Sequence, residues 1–162
     1  MNENETLIRK FYDAFNKLDY RTMQECYHND AVFFDPVFHD LNAFEVKHMW
    51  EMLCRQAKDF SLTYADVHAD HEYGGCRWIA TYRFSRTGNR VTNKITAHMR
   101  FRDGKIIEHT DDFDLWKWSR QALGIKGWLL GWSEFVQKKI RNSAQDSLLA
   151  FLNAQSPAKP NS

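Results

Sequence analysis

The chain has 162 residues, with 22 basic and 21 acidic side chains well mixed along it and a formal charge of +1. That length fits one domain with a sizeable core, and without a basic stripe nucleic acid is not an expected partner. No run approaches the roughly 20 apolar residues of a membrane span, "MNENETLIRK" has no apolar signal region, and Cys26, Cys54 and Cys76 are too isolated for a disulfide framework or zinc knuckle. A reduced, cytoplasmic setting is expected.

Apolar residues at Leu7, Ile8, Phe11, Ala14, Phe15 and Leu18 form the stripe of an amphipathic helix over Glu5–Leu18. Asp19 is placed to cap a short second helix carrying Tyr20, Met23, Cys26 and Tyr27, and extended structure follows around Ala31–Val37. A third helix starts at Asn42, with Glu45 three residues on as in a capping box, and its stripe is Val46, Met49, Trp50, Leu53, Cys54 and Ala57. The period then changes to two. Four strands are read in "FSLTYADVHAD", "CRWIATYRFS", "VTNKITAHMRF" and "KIIEHTDDF", separated by Gly74-Gly75, "TGNR" and Asp103-Gly104. Three helices and an antiparallel meander make an α+β plan with one sheet face under helices.

After Phe113 a tryptophan-rich stretch bears Trp116, Trp118, Trp128 and Trp132, read as a flap over a cavity mouth or a neighbouring subunit. A peripheral membrane or partner surface is the alternative, although the mixed charge of the following helix gives weak attraction to lipid. That last helix begins near Ser133, with Val136, Ile140, Ala144, Leu148 and Leu152 on one face. The expected division is 1–132 for the main domain and flap, 133–154 for the amphipathic helix and 155–162 for a disordered tail.

One stretch stands apart. In "DAVFFDPVFHD" the carboxylate of Asp35 sits among apolar neighbours. Asp-Pro is a common turn former, and that reading stands beside a second, in which an apolar pocket raises the pKa of a working carboxylate.

The element order, "NDAVFFDPVF" and "RFRDGKIIEHTDDFD" together resemble the SnoaL-like and ketosteroid-isomerase-like branches of the nuclear-transport-factor-two-like superfamily, from Glu5 to about Phe113. The resemblance implies a cone: a curved, mainly antiparallel sheet wrapped around a long helix, enclosing an apolar cavity, with a C-terminal helical extension. It also implies a homodimer through the outer sheet face. Asp35 matches the general base of ketosteroid isomerases. Their oxyanion tyrosine falls on Phe11 and their protonated aspartate on Ala97, so both donors are absent and steroid isomerisation by that route is disfavoured.

The hairpin decides which further polar groups enter the cone. A three-residue loop at Arg102–Gly104 pairs Phe101 with Lys105, sets Ala97 opposite His109, and turns Ile107, His109, Asp111 and Phe113 inward. A two-residue turn at Asp103-Gly104 instead turns Glu108, Thr110 and Asp112 inward. The first is preferred, because it leaves Glu108 and Asp112 to water. Asp35, His109 and Asp111 are then the catalytic candidates, and Phe11, Tyr12, Phe15, Trp50, Trp78, Tyr82, Ala97, Met99 and Phe113 the ligand-binding ones. Tyr12 is a substitute donor one residue, about 100° of helix, from the matching position. His68 and His71 lie three apart on a strand and face opposite sides, so no metal is expected, and no cofactor. Arg100 faces out, against an aspartate–arginine–aspartate relay of the limonene-epoxide-hydrolase kind.

The expected function is binding of a small apolar molecule with cofactor-free acid/base chemistry beside a carbonyl: isomerisation, cyclisation or dehydration. A non-catalytic ligand-binding or assembly module, in which His109 and Asp111 merely bond each other beside a filled cone, is the alternative, with epoxide-hydrolase-like activity a further one.

Overall fold

A computed structural model describes residues 1–125 and 133–155. Its elements are α1 (Glu3–Asn16), α2 (Tyr20–Glu25), β1 (Tyr27–Phe34), β2 (Leu41–Asn42), α3 (Ala43–Gln56), β3 (Ser61–Ala69), β4 (Tyr73–Arg83), β5 (Arg90–Arg102), β6 (Lys105–Asp112), α4 (Leu115–Leu123) and α5 (Glu134–Gln155). One curved sheet has the order β2-β1-β6-β5-β4-β3, antiparallel except where β1 runs parallel to β6. The α+β plan therefore holds, but the sheet has six strands and not four. β1 begins at Tyr27, although the "HND" that follows lacks strand-like residues, and its register against β6 shifts between Tyr27 and Val32.

The helices start where their caps allow. Asn2 accepts from the Glu5 N–H at 2.8 Å and opens α1, which ends as Leu18 turns to φ 56°. Asn42 and Glu45 exchange bonds of 2.9 and 3.0 Å in a complete capping box for α3. Both helices lay apolar faces on the concave side of the sheet, burying Ile8, Phe11, Tyr12 and Phe15 from α1 and Val46, Met49, Trp50 and Met52 from α3. Burying each of these large side chains stabilises the fold by about 1.5–3 kcal/mol.

Gly74-Gly75 is not the turn between β3 and β4. Asp70 makes that turn, its Oδ1 accepting from the N–H groups of Glu72 and Tyr73 at 2.8 and 2.7 Å. The glycines lie inside β4, where a Cβ on Gly75 would collide with the Ala97 carbonyl oxygen of β5, and one on Gly74 would meet His68 O at 2.6 Å. Close approach of neighbouring backbones explains them.

The β5–β6 hairpin combines both readings. Arg102 pairs with Lys105 around Asp103-Gly104, whose φ angles of 52° and 71° suit a two-residue turn. The preferred three-residue loop is therefore wrong. A bulge beside Ile106-Ile107 then resets the parity, so that Ile107, His109 and Asp111 still turn inward while Glu108, Thr110 and Asp112 face water. Ala97 sits opposite Asp111, not His109, and Met99 sits opposite His109.

Within the tryptophan-rich stretch, Asp114 caps α4 by accepting from the Lys117 N–H at 3.0 Å, and Leu115, Ser119 and Ala122 pack inward. Trp128, Trp132 and the end of the tail lie outside the described residues. α5 runs across α3 and buries Leu148, with Ala144, Phe151 and Leu152 against the same core. Among the described residues no helix is long and apolar enough to cross a membrane.

Candidate functional site

A cavity of about 310 Å³ opens inside the curve of the sheet, at the small end of the ~300–1,000 Å³ usual for ligand pockets. Strand parity fixes which side chains can reach it, and depth decides which do. Trp78, Ala80 and Tyr82 line it from β4, Asn93 and Ile95 from β5, and Asp111 from β6, followed by Phe113. Cys76, Ala97 and His109, one step deeper on the same inward faces, do not. Trp78 and Ile95, paired across β4 and β5, and Asp111 of β6, which sits opposite Ala97, thus form the cavity floor. Phe15, Met49, Trp50 and Phe60 close the sides, and Ile140, Ser143, Ala144 and Ser147 of α5 border it from across the sheet.

Asp35 lies in this wall. Its Oδ1 accepts from the N–H groups of Val37 and Phe38 at 2.7 and 2.5 Å, while its own N–H donates to the Phe38 carbonyl at 2.9 Å. The turn and the pocket carboxylate are therefore one structure. Those two donors favour the charged form and pull the pKa down, yet burial outweighs them. With a smaller push from the negative charge of Asp111, it lifts Asp35 from 3.8 to about 7.

Asp111 is held from below. Trp50 Nε1–H donates to the Tyr27 hydroxyl at 2.8 Å, and that hydroxyl lies 2.7 Å from His109 Nδ1. His109 Nε2 is 3.0 Å from Asp111 Oδ1, and Trp78 Nε1–H reaches the same oxygen at 3.4 Å. Because indole is only a donor, one proton arrangement satisfies every member: Tyr27 donates to Nδ1, and Nε2–H donates to Asp111. Among the described residues Oδ2 of Asp111 and Oδ2 of Asp35 have no protein donor, so each carboxylate is anchored through one oxygen and keeps the other.

Of the catalytic candidates, Asp35 and Asp111 border the cavity and His109 does not. Packed by Phe11, Phe33 and Trp50, His109 is 1% exposed and meets the site only through Asp111. Of the ligand-binding candidates, Phe15, Trp50, Trp78, Tyr82 and Phe113 line the cavity. Phe11, Tyr12, Ala97 and Met99 belong instead to the closed core beneath the floor, with the Tyr12 hydroxyl beside the Cys76 thiol. Alternation gives a side chain's face but not its depth.

Further polar groups border the cavity: Gln56, Ser85, Arg83 (bonded to Asp59 at 2.6 Å) and Arg86 (3.5 Å from Ser147 Oγ), together with Asn93 and Trp118. Asn93, 8% exposed, shares the inward parity of Val91 and Ile95, and that parity is the sequence signal for it. Trp118 reaches in from α4 and donates Nε1–H to the Tyr82 hydroxyl at 2.7 Å. Burial raises the Tyr82 pKa against that bond, and the charge of Asp35 adds to the rise. Arg100, by contrast, binds Glu72 and Glu108 on the outer side at 2.9 and 3.1 Å, leaving no inward arginine for an epoxide-hydrolase relay on β5.

The model of the SnoaL-like domain matches residues 8–109, most of the chain, and the protein belongs to that family. No curated protein matches the chain by sequence. Solved structures with the same fold include IdmH from Streptomyces antibioticus, a candidate polyketide cyclase, 24% identical over 74% of this chain and 97% of that one, with a TM-score of 0.62. AclR from Streptomyces galilaeus, a candidate hydroxylase, is 19% identical over 79% and 97%, with a TM-score of 0.62. A protein from Catenulispora acidiphila with a ketosteroid isomerase-like fold, in complex with trimethylamine, is 8% identical over 72% and 91%, with a TM-score of 0.63. At these identities the likeness is one of fold.

Proposed function

We propose that the protein binds a small, largely apolar carbonyl compound in this cavity and moves a proton beside the carbonyl, as an isomerase or cyclase does. The observation that carries the reading is Asp35: a carboxyl in an apolar wall, fixed through Oδ1 by two backbone donors, with its pKa near 7. A base is most effective when it titrates near the working pH. Asp35 Oδ2 takes the proton from the carbon next to the carbonyl, the C–H electron pair passes into the enolate, and the Asp35 carboxyl, its proton exchanging with water in the meantime, protonates the enolate again at the same carbon or at a different atom of the substrate. No redox partner is needed. Asp111, held by His109 and Trp78, is a fixed negative charge that keeps Asp35 protonated more readily once it has taken the proton. Solved structures of the same fold that carry names such as polyketide cyclase are consistent with this class of chemistry.

The test is α-proton exchange. Cyclic ketones and 1,3-diketones small enough for about 310 Å³ are incubated with the protein in deuterium oxide and followed by proton NMR. Exchange above the buffer rate is expected for a subset, and Asp35→Asn should reduce it about 100-fold or more. Exchange that persists in Asp35→Asn, or is absent across the panel, contradicts the reading.

A further inference from the structure

An enolate needs donors for its oxygen, and the positions that resemblance assigns to them hold Phe11 and Ala97, both in the closed core. We infer that Tyr82 and Asn93 are the donor pair that receives the substrate's carbonyl oxygen, with Trp118 as the positioning residue that aims the Tyr82 hydroxyl. The inference rests on the proposed proton transfer and names the part of it that Asp35 and Asp111, both acceptors when charged, cannot supply.

Three observations converge. Trp118 Nε1–H has no acceptor capacity, so in its 2.7 Å contact the Tyr82 oxygen accepts and the phenolic hydrogen stays uncommitted. Among the described residues that hydrogen has no protein acceptor, and Tyr82 borders the cavity. Asn93 is more than nine-tenths buried, borders the same cavity, and its amide makes no protein hydrogen bond among the described residues. Its amide atoms are not among those sealed off without a partner, so the polar surface they keep is available to a molecule in the cavity. Finally, the two side chains are neighbours: Asn93 lies opposite Ala80 and Tyr82 opposite Val91, which puts them on the inner face of adjacent strands one diagonal step apart. Two donors converging from neighbouring strands form an oxyanion site of a kind that backbone amides form elsewhere. The substrate class narrows accordingly. Its carbonyl oxygen points toward the β4–β5 wall under α4, its acidic C–H toward Asp35, and its apolar body lies against Trp50, Trp78 and Phe113.

The probe is 4-nitrophenol, whose oxygen mimics an enolate and whose spectrum separates phenol from phenolate. Full-length Asp35→Asn protein is the background, so that neither turnover nor repulsion from that carboxylate intervenes. Binding with a raised phenolate fraction is expected. Adding Tyr82→Phe or Asn93→Leu should each weaken binding about tenfold or more, since each deletes a hydrogen bond to an anion, and should return the spectrum toward the phenol. Trp118→Phe should retain binding with an intermediate phenolate fraction, a readout that mere packing would not move. Should Asn93→Leu fail to fold, Asn93→Asp serves, and should expel the phenolate altogether. Binding and spectrum unchanged by both Tyr82→Phe and Asn93→Leu would overturn the donor pair alone. Failure of the Asp35→Asn protein to bind the probe at all would overturn the donor pair together with the ligand-binding cavity.

Discussion

Replacing Asp35 by asparagine should make the protein more stable, and increasingly so as the pH rises. The amide keeps an Oδ1 to accept from the Val37 and Phe38 N–H groups and puts a neutral NH2 where Oδ2 stood. The folded carboxyl titrates at about 7 and the unfolded one near 3.8, a difference of roughly three units. Between those values the folded state holds a proton that the unfolded state has lost, so wild-type stability falls as pH rises, by about 1.4 kcal/mol per unit. Below pH 3.8 both states are protonated and there is no penalty; above pH 7 it is complete, on the order of 4 kcal/mol. The Asp35→Asn protein has no such dependence at this position. Urea unfolding of both proteins between pH 5 and pH 8.5 should therefore show the advantage of Asp35→Asn widening by roughly 2–3 kcal/mol. Parallel curves across that range would refute the claim that burial dominates the environment of Asp35.

Tyr27→Phe strands both the Trp50 indole N–H and His109 Nδ1. At about 1–3 kcal/mol for each buried group left unpaired, urea unfolding should show a loss of about 2–5 kcal/mol; a loss below about 0.5 kcal/mol would mean that the ladder under Asp111 contributes nothing. Gly75→Ala drives a methyl into the Ala97 carbonyl, whereas Gly88→Ala meets open space and suffers only from its φ of 74°. The first should cost several-fold more than the roughly 1 kcal/mol of the second, and equal unfolding midpoints would contradict the packing of β4 on β5. Ketone exchange should climb with pH and level off above about 7, as Asp35 becomes a base. Asp111→Asn should move that midpoint down by a small step, because burial is the larger cause.

Helix positions are legible because their signals are local. Asn42 with Glu45, and Asp19, are read directly from the sequence as caps and appear as bonded ones, Asp19 accepting from the Thr22 N–H. Asp114 carries the same signal for α4, but the glycines and tryptophans after it suggest a flap more strongly. In the β5–β6 hairpin, two consecutive isoleucines hide a bulge, since both are apolar and neither marks a change of face. The turn itself reads wrongly from the sequence, and the inward set survives because the bulge undoes the shift. For the site, alternation locates Asp111 and His109 on the inner face but cannot show that the cavity ends between them. That limit comes from side-chain volumes contributed by α1, α3 and α5, which no single strand encodes. Asn93 has the right parity yet escapes a reading in which an inward face is expected to be apolar.

The proposed chemistry turns on the ionisation of one side chain, and a carbon-13 NMR titration of the Asp35 carboxyl, assigned by comparison with Asp35→Asn, reads it directly. A midpoint near 7 is predicted, falling when the cavity is opened to water by truncating a lining aromatic such as Trp118→Ala. A midpoint near the ordinary 3.8 would contradict it, leaving a turn-forming aspartate at the edge of an apolar cavity and no base within it.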